Sequence, residues 1–84
     1  MTSLPLTTAW TEISTTSCLF QRGYGDNVAI FYGTAPAVDE QVVFVIDHEE
    51  LIILPAPTTG SIFAKAYADS ATNSNKGVVK VQGL

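Results

Sequence analysis

One stretch constrains this chain more than any other. Residues 42–54 read VVFVI, then DHEE, then LIIL, and Pro55 closes the second run. Two apolar runs rich in β-branched residues flank four polar ones. That pattern predicts two buried strands, at 42–46 and 51–54, with a solvated connection. Alternation along them sets Phe44, Ile46, Leu51 and Ile53 inward, and Val43, Val45 and Ile52 outward. The outward set is apolar too. One face of a two-layer β-domain normally meets water and is polar. Val43, Val45 and Ile52 are therefore expected to contact another protein surface.

The remaining segments read the same way. Residues 9–14 alternate loosely and predict a first strand. Residues 18–21 predict a short second one, with Cys18 and Phe20 sharing a face. RGYGDN at 22–27 reads as a tight connection, on its glycines, Asp and Asn. A phosphate-binding loop would need a helix N-terminus after it. The next segment is instead VAIFY at 28–32, an apolar and aromatic strand. TAPAVDEQ at 34–41 is a loop, since Pro36 forbids a central ladder position. Residues 61–68 suit either a strand or a short helix. Eight residues are short for a free-standing helix and the neighbours are strands, so a strand is expected. DSATNSNK at 69–76 is a polar loop, and 77–82 is the last strand. Residues 1–8 read as an N-terminal arm outside a single domain spanning 9–84.

The sum is an all-β, antiparallel β-sandwich or jelly-roll-like domain of about seven short strands. Its expected core is Ile13, Phe20, Val28, Ile30, Phe44, Ile46, Leu51, Ile53, Ile62, Val79 and Val81. Only 14% of the 84 residues are charged, against roughly 25% in an ordinary soluble domain. With so few charges to coat the outside, apolar or Thr/Ser surface must face outward, and a homo-oligomer would cover it.

Charge and composition narrow the function. The net charge is −4, with Arg22, Lys65, Lys76 and Lys80 as the only cations. Four scattered cations make no basic patch, so nucleic-acid binding is not expected. The longest apolar run is five residues, far short of a membrane helix. The N-terminal segment has no cationic stretch followed by an apolar core, so no export signal is expected. Cys18 is the single cysteine. It reads as a small buried hydrophobe, since no second catalytic group lies near it in sequence.

DHEE at 47–50 holds the only histidine and three of the eight acids. It is the one cluster of metal-ligand types. In an extended segment Asp47 and Glu49 point one way, and His48 and Glu50 the other. A metal needs three or four convergent ligands, so a solvated turn is expected, with no metal and no cofactor. Asp39, Glu40 and the DHEE acids do not make a glycosidase pair without a substrate cleft between them. No G-x-S-x-G elbow is present. An enzyme is not expected. Trp10, Tyr24, Phe31, Tyr32, Phe63 and Tyr67 could form a sugar-binding platform, or serve as core and subunit contacts. An exposed aromatic cluster near Trp10 or Tyr24 would favour the first.

The phrases LTTAWTEIST, CLFQ, NVAIFYGTAPA and GSIFAKAYADSATNSNKGVVKVQ run over nearly the whole chain, from Leu6 to Gln82. In this arrangement the chain resembles small structural proteins of tailed-bacteriophage virions, of the capsid decoration and head-fibre type. That resemblance implies a β-domain on the capsid surface, made in the host cytoplasm and often trimeric. Its partner would be the major capsid protein or another virion protein, and no catalytic residues carry over. Trp10, Val43, Val45 and Ile52 are the expected subunit or capsid contacts. Two alternatives stay open: a carbohydrate- or host-surface-binding module, and an early phage protein acting on a host protein.

The reading of DHEE as a turn has a direct check. A chelator is expected to leave the melting temperature unchanged. A fall of several degrees, reversed by one added divalent metal, would instead assign a metal site to it.

Overall fold

The computed structural model describes residues 1–25, 27–34, 36, 44–67 and 77–84, with side chains at all of these but Tyr24 and Gly25. They form eight strands: β1 Thr2–Leu6, β2 Thr11–Ser14, β3 Cys18–Gly25, β4 Asn27–Gly33, β5 Phe44–Ile46, β6 Ile52–Leu54, β7 Ser61–Tyr67 and β8 Gly77–Gly83. No helix among the described residues is long and apolar enough to cross a membrane. Residues 61–67 are strand, as expected for that segment.

The strands make two four-stranded sheets, ordered β1-β8-β3-β6 and β2-β7-β4-β5, with antiparallel neighbours throughout. Six of the seven connections pass from one sheet to the other; β4 to β5 alone stays within a sheet. The two apolar runs of the 42–54 stretch therefore do not pair. β5 lies at the edge of the second sheet, against β4, and β6 at the edge of the first, against β3.

Each sheet turns one face onto a shared core. Leu6, Cys18, Phe20, Leu54, Val79 and Val81 come from the first sheet; Val28, Ile30, Ile46, Ile62, Ala64 and Ala66 come from the second. The result is a sandwich-like all-β structure. Its Cα radius of gyration of 11.6 Å is close to the ~12 Å of a compact chain this long.

Four expectations need correction. The described residues form eight strands instead of about seven, because the expected arm contains β1, which pairs with β8 over its whole length. Leu6 is buried in the core, and Pro5 is tolerated because β1 is an edge strand. A polar, proline-bearing terminus reads as frayed until the open edge of β8 is there to receive it.

Second, RGYG at 22–25 is not a tight connection. It continues β3, and the register against β8 shifts between Arg22 and Gly25. Gly23 lies so close to β8 that a Cβ there would stand 2.6 Å from the Val78 carbonyl oxygen.

Third, Leu51 and Ile53 are not core: they are 54% and 64% exposed. Ile52, expected outward, packs against the core with Leu54. Alternation defines two faces but not which one turns inward. The pairing Cys18↔Leu54, Leu19↔Ile53, Phe20↔Ile52 decides it, because Cys18 and Phe20 face the interior. Fourth, Phe44 shares the inward face of Ile46, yet lies 37% exposed at the open edge.

Polar contacts close the seams between segments. Ser61 Oγ donates to Glu12 Oε2 at 2.7 Å. Tyr32 Oη donates to the Pro55 carbonyl at 2.9 Å, and Ser17 Oγ to the Leu54 carbonyl at 3.0 Å. Gly60 turns the chain into β7 with φ of 72°. A side chain there would be strained by the backbone and would run into the Gly33 carbonyl.

Cys18 is fully buried, and burial pushes its thiol pKa above the ordinary 9.0, with a hydrogen bond from Ser14 opposing in part. Burial also raises Tyr32, and a thiolate at Cys18 would add to that shift. Both groups are held neutral in the fold, so the unfolded chain ionises first. Their stabilising contribution is complete below pH ~8.5 and is lost as pH rises through the folded-state values. The urea midpoint is expected to fall between pH ~8.5 and ~11, less steeply in Cys18→Ala. That variant should stay folded and lose about 1–2 kcal/mol. Native Cys18 should also alkylate far more slowly than a free thiol. A flat pH profile, or alkylation at the free-thiol rate, would contradict this placement.

Candidate functional site

The outer face of the second sheet carries aromatic side chains. Alternation along β4 turns Val28 and Ile30 inward, and therefore Ala29 and Phe31 outward. On β7, Ile62, Ala64 and Ala66 turn inward, leaving Phe63 and Lys65 outside. Register does the rest: Phe31 stands opposite Phe63, and Ala29 opposite Lys65. Trp10, just ahead of β2, closes the group. Its ring centroid is 5.8 Å from that of Phe31, tilted by 52°, and Phe31 is 6.4 Å from Phe63, tilted by 56°.

Lys65 Nζ lies 4.7 Å from the Trp10 ring centroid, within range of a cation–π interaction. That ammonium occupies a ring face which a planar ligand would otherwise use. Trp10, Phe31, Phe63 and Lys65 are half-buried, so they cover one another as well as the sheet beneath. Ala29, on the same outer face, is completely covered. Trp10 Nε1 is buried without a hydrogen-bond partner, a costly state for a donor.

A second feature lies along the β5–β6 side of the molecule. Phe44 and Val45 are each 37% exposed, and Leu51 and Ile53 more so. Both strands are sheet edges. The acidic turn between them is tied to β3. Gln21 Nε2 donates to the Glu49 carbonyl at 2.9 Å, and Arg22 Nε to the His48 carbonyl at 3.3 Å. Arg22 also approaches the Glu49 carboxylate at 3.8 Å. Within the turn, the Glu50 amide donates to His48 Nδ1 at 3.3 Å. Among the described residues no three His, Cys, Asp or Glu side chains come together as a metal site.

The sequence-predicted contact residues are thus dispersed. Trp10 joins the aromatic face. Val45 lies outward on the second sheet, opposite Ala29. Ile52 is on the inner side of the first sheet, where Leu51 and Ile53 take the exposed role. Val43 lies outside the described residues. Of the six aromatics considered as a platform, Trp10, Phe31 and Phe63 meet. Tyr32 turns inward and packs on the core, Tyr67 is exposed at the end of β7, and the Tyr24 side chain is not among those described. The Trp10–Lys65 contact escaped sequence reading because it depends on where β2 meets β7. No family model matches this chain, and neither a curated protein nor a solved structure matches it.

Trp10 is the only tryptophan, so its fluorescence reports on the aromatic face. Phe31→Ala is expected to lower stability by about 2–3 kcal/mol, as a half-buried ring is lost. It should also shift the indole emission to the red and raise quenching by acrylamide. Unchanged emission would mean that Phe31 does not shield Trp10.

Proposed function

We propose that this protein is a non-enzymatic structural component of a tailed-bacteriophage virion, a capsid decoration protein that binds the head surface and self-associates. It is wound as a jelly roll. The strand order β1-β8-β3-β6 against β2-β7-β4-β5 supports that winding, which viral capsid domains share with lectins and other proteins. Winding alone does not assign function.

The observation that carries the reading is the exposure of apolar residues at two edge strands, Phe44 and Val45 on β5 of the second sheet and Ile53, with Leu51 just ahead of it, on β6 of the first. Exposed apolar residues at sheet edges mark places where another protein surface can pair or pack. Such a surface works through buried area and needs no reacting group, as expected of a protein that stabilises a particle. Phe44 and Val45, on the second sheet, are assigned to the particle. The major capsid protein or another virion protein is the partner.

A carbohydrate- or host-surface-binding module is the second reading. The Trp10–Phe31–Phe63 group favours it, because rings on a sheet face can stack on sugar.

Purified particles of the phage that encodes this chain should contain it by mass spectrometry, and the purified protein should co-sediment with particles lacking it. Val45→Glu should keep its circular dichroism spectrum and lose most of the co-sedimentation. Absence from particles would overturn the virion reading. Binding to host envelope polysaccharide, with a change in Trp10 emission, would favour the second.

A further inference from the structure

The turn between β5 and β6 carries the chain from the second sheet to the first, and three side chains organise it. Two come from β3. Arg22 Nε donates to the His48 carbonyl, and Gln21 Nε2 to the Glu49 carbonyl. The third belongs to the turn itself: the His48 imidazole accepts the Glu50 amide through Nδ1 at 3.3 Å. This contact has the form of an Asx turn, in which a side-chain acceptor takes the amide two residues on.

Nδ1 accepts an N–H only while its lone pair is free, so the ring must be neutral with its proton on Nε2. Arginine stays charged and glutamine does not titrate. Both β3 anchors are therefore indifferent to pH over the range where histidines ordinarily change charge, about pH 5 to 8. Protonation of His48 places a hydrogen on Nδ1, facing the Glu50 N–H. Two donors make no bond, so the amide passes to water and the imidazolium turns to an acceptor. Acceptors are at hand in the carboxylates of Asp47, Glu49 and Glu50, its neighbours in the turn. Among the described residues, Arg22 is the cation on which the turn rests. The Glu49 carboxylate is exposed and stands 3.8 Å from Arg22, longer than a charge-assisted hydrogen bond. It can turn to the ring without breaking a short contact to the guanidinium.

We propose that His48 is a protonation switch for this turn. The neutral ring closes the turn on the Glu50 amide. The charged ring opens that contact and gathers the neighbouring carboxylates, while Gln21 and Arg22 keep the turn on β3. The turn is the two-state element, and the charge on one imidazole biases it. What changes is the link from Glu50 into β6. Leu51 and Ile53 follow directly, both exposed, just ahead of and within an edge strand. Their presentation thus differs between neutral and mildly acidic solution. The switch belongs to the single chain and goes beyond the virion reading, which it does not require.

Nuclear magnetic resonance of the purified, isotope-labelled protein tests it. At about pH 8 the ring nitrogens of His48 should report the Nε2–H tautomer. As the pH falls to about 5, the Glu50 amide should follow the His48 titration and lose its protection from solvent exchange. His48→Asn is the decisive comparison, because Asn Oδ1 takes an amide two residues on and does not titrate. That variant should keep the Glu50 amide protected across the whole range, and His48→Ala should leave it unprotected throughout. An Nδ1–H tautomer in the neutral wild type overturns the switch. So does a Glu50 amide indifferent to the His48 titration, or an equal pH response in His48→Asn. None of these outcomes bears on co-sedimentation with particles, so the switch and the decoration reading stand or fall separately.

Discussion

Everything in this molecule depends on two small sheets sharing one apolar core. Strands of three to eight residues cannot hold a sheet together by ladder bonds alone in water. Stability comes when each sheet turns one face onto the other and removes it from solvent. Phe20, Leu6 and Leu54 supply bulk from the first sheet, while Ala64 and Ala66 keep the second sheet's central strand slim. The two-sheet arrangement also explains the connections. A chain that crosses between layers at nearly every turn ties them together repeatedly, so neither sheet is independent of the other.

Polar groups fix the places where the apolar core cannot. Arg22 and Gln21 sit midway along β3 and reach the carbonyls of His48 and Glu49. The DHEE turn is thereby fastened to the first sheet although the strand before it belongs to the second. Its acids are accounted for by position in a turn that bridges the layers. Tyr32, on β4 of the second sheet, ties the segment leaving β6 to that sheet through its hydroxyl and the Pro55 carbonyl. Each of these bonds joins segments more than twenty residues apart, so each depends on the strands it links being brought together by the fold.

The outer faces differ in kind. On the second sheet, Trp10, Phe31 and Phe63 fold over one another, with Lys65 laid on the indole. The apolar surface there is largely covered from within. On the first sheet, Leu51 and Ile53 stand clear, and nothing in the described part of the chain shields them. A chain with so few charges has little polar material to place there. That asymmetry separates an apolar face covered from within from one whose apolar side chains meet solvent.

The sequence by itself determined that this would be an all-β chain. Short β-branched runs between Gly, Pro and Asn-rich segments allow little else, and Phe20, Val28, Ile30, Ile46, Ile62, Val79 and Val81 were legible as core from alternation alone. The burial of Cys18 beside Phe20 was legible for the same reason. Only the tertiary structure decided which face of 51–54 turns inward, because a period of two is symmetric and the pairing with β3 chooses between its halves. It also decided that residues 2–6 are a strand, since the edge of β8 that receives them is formed by the far end of the chain. The meeting of Trp10 with Phe31 and Lys65 was likewise set by sheet register. Local sequence encodes what a segment can be; the choice of partner strand comes from contacts that no window along the chain contains.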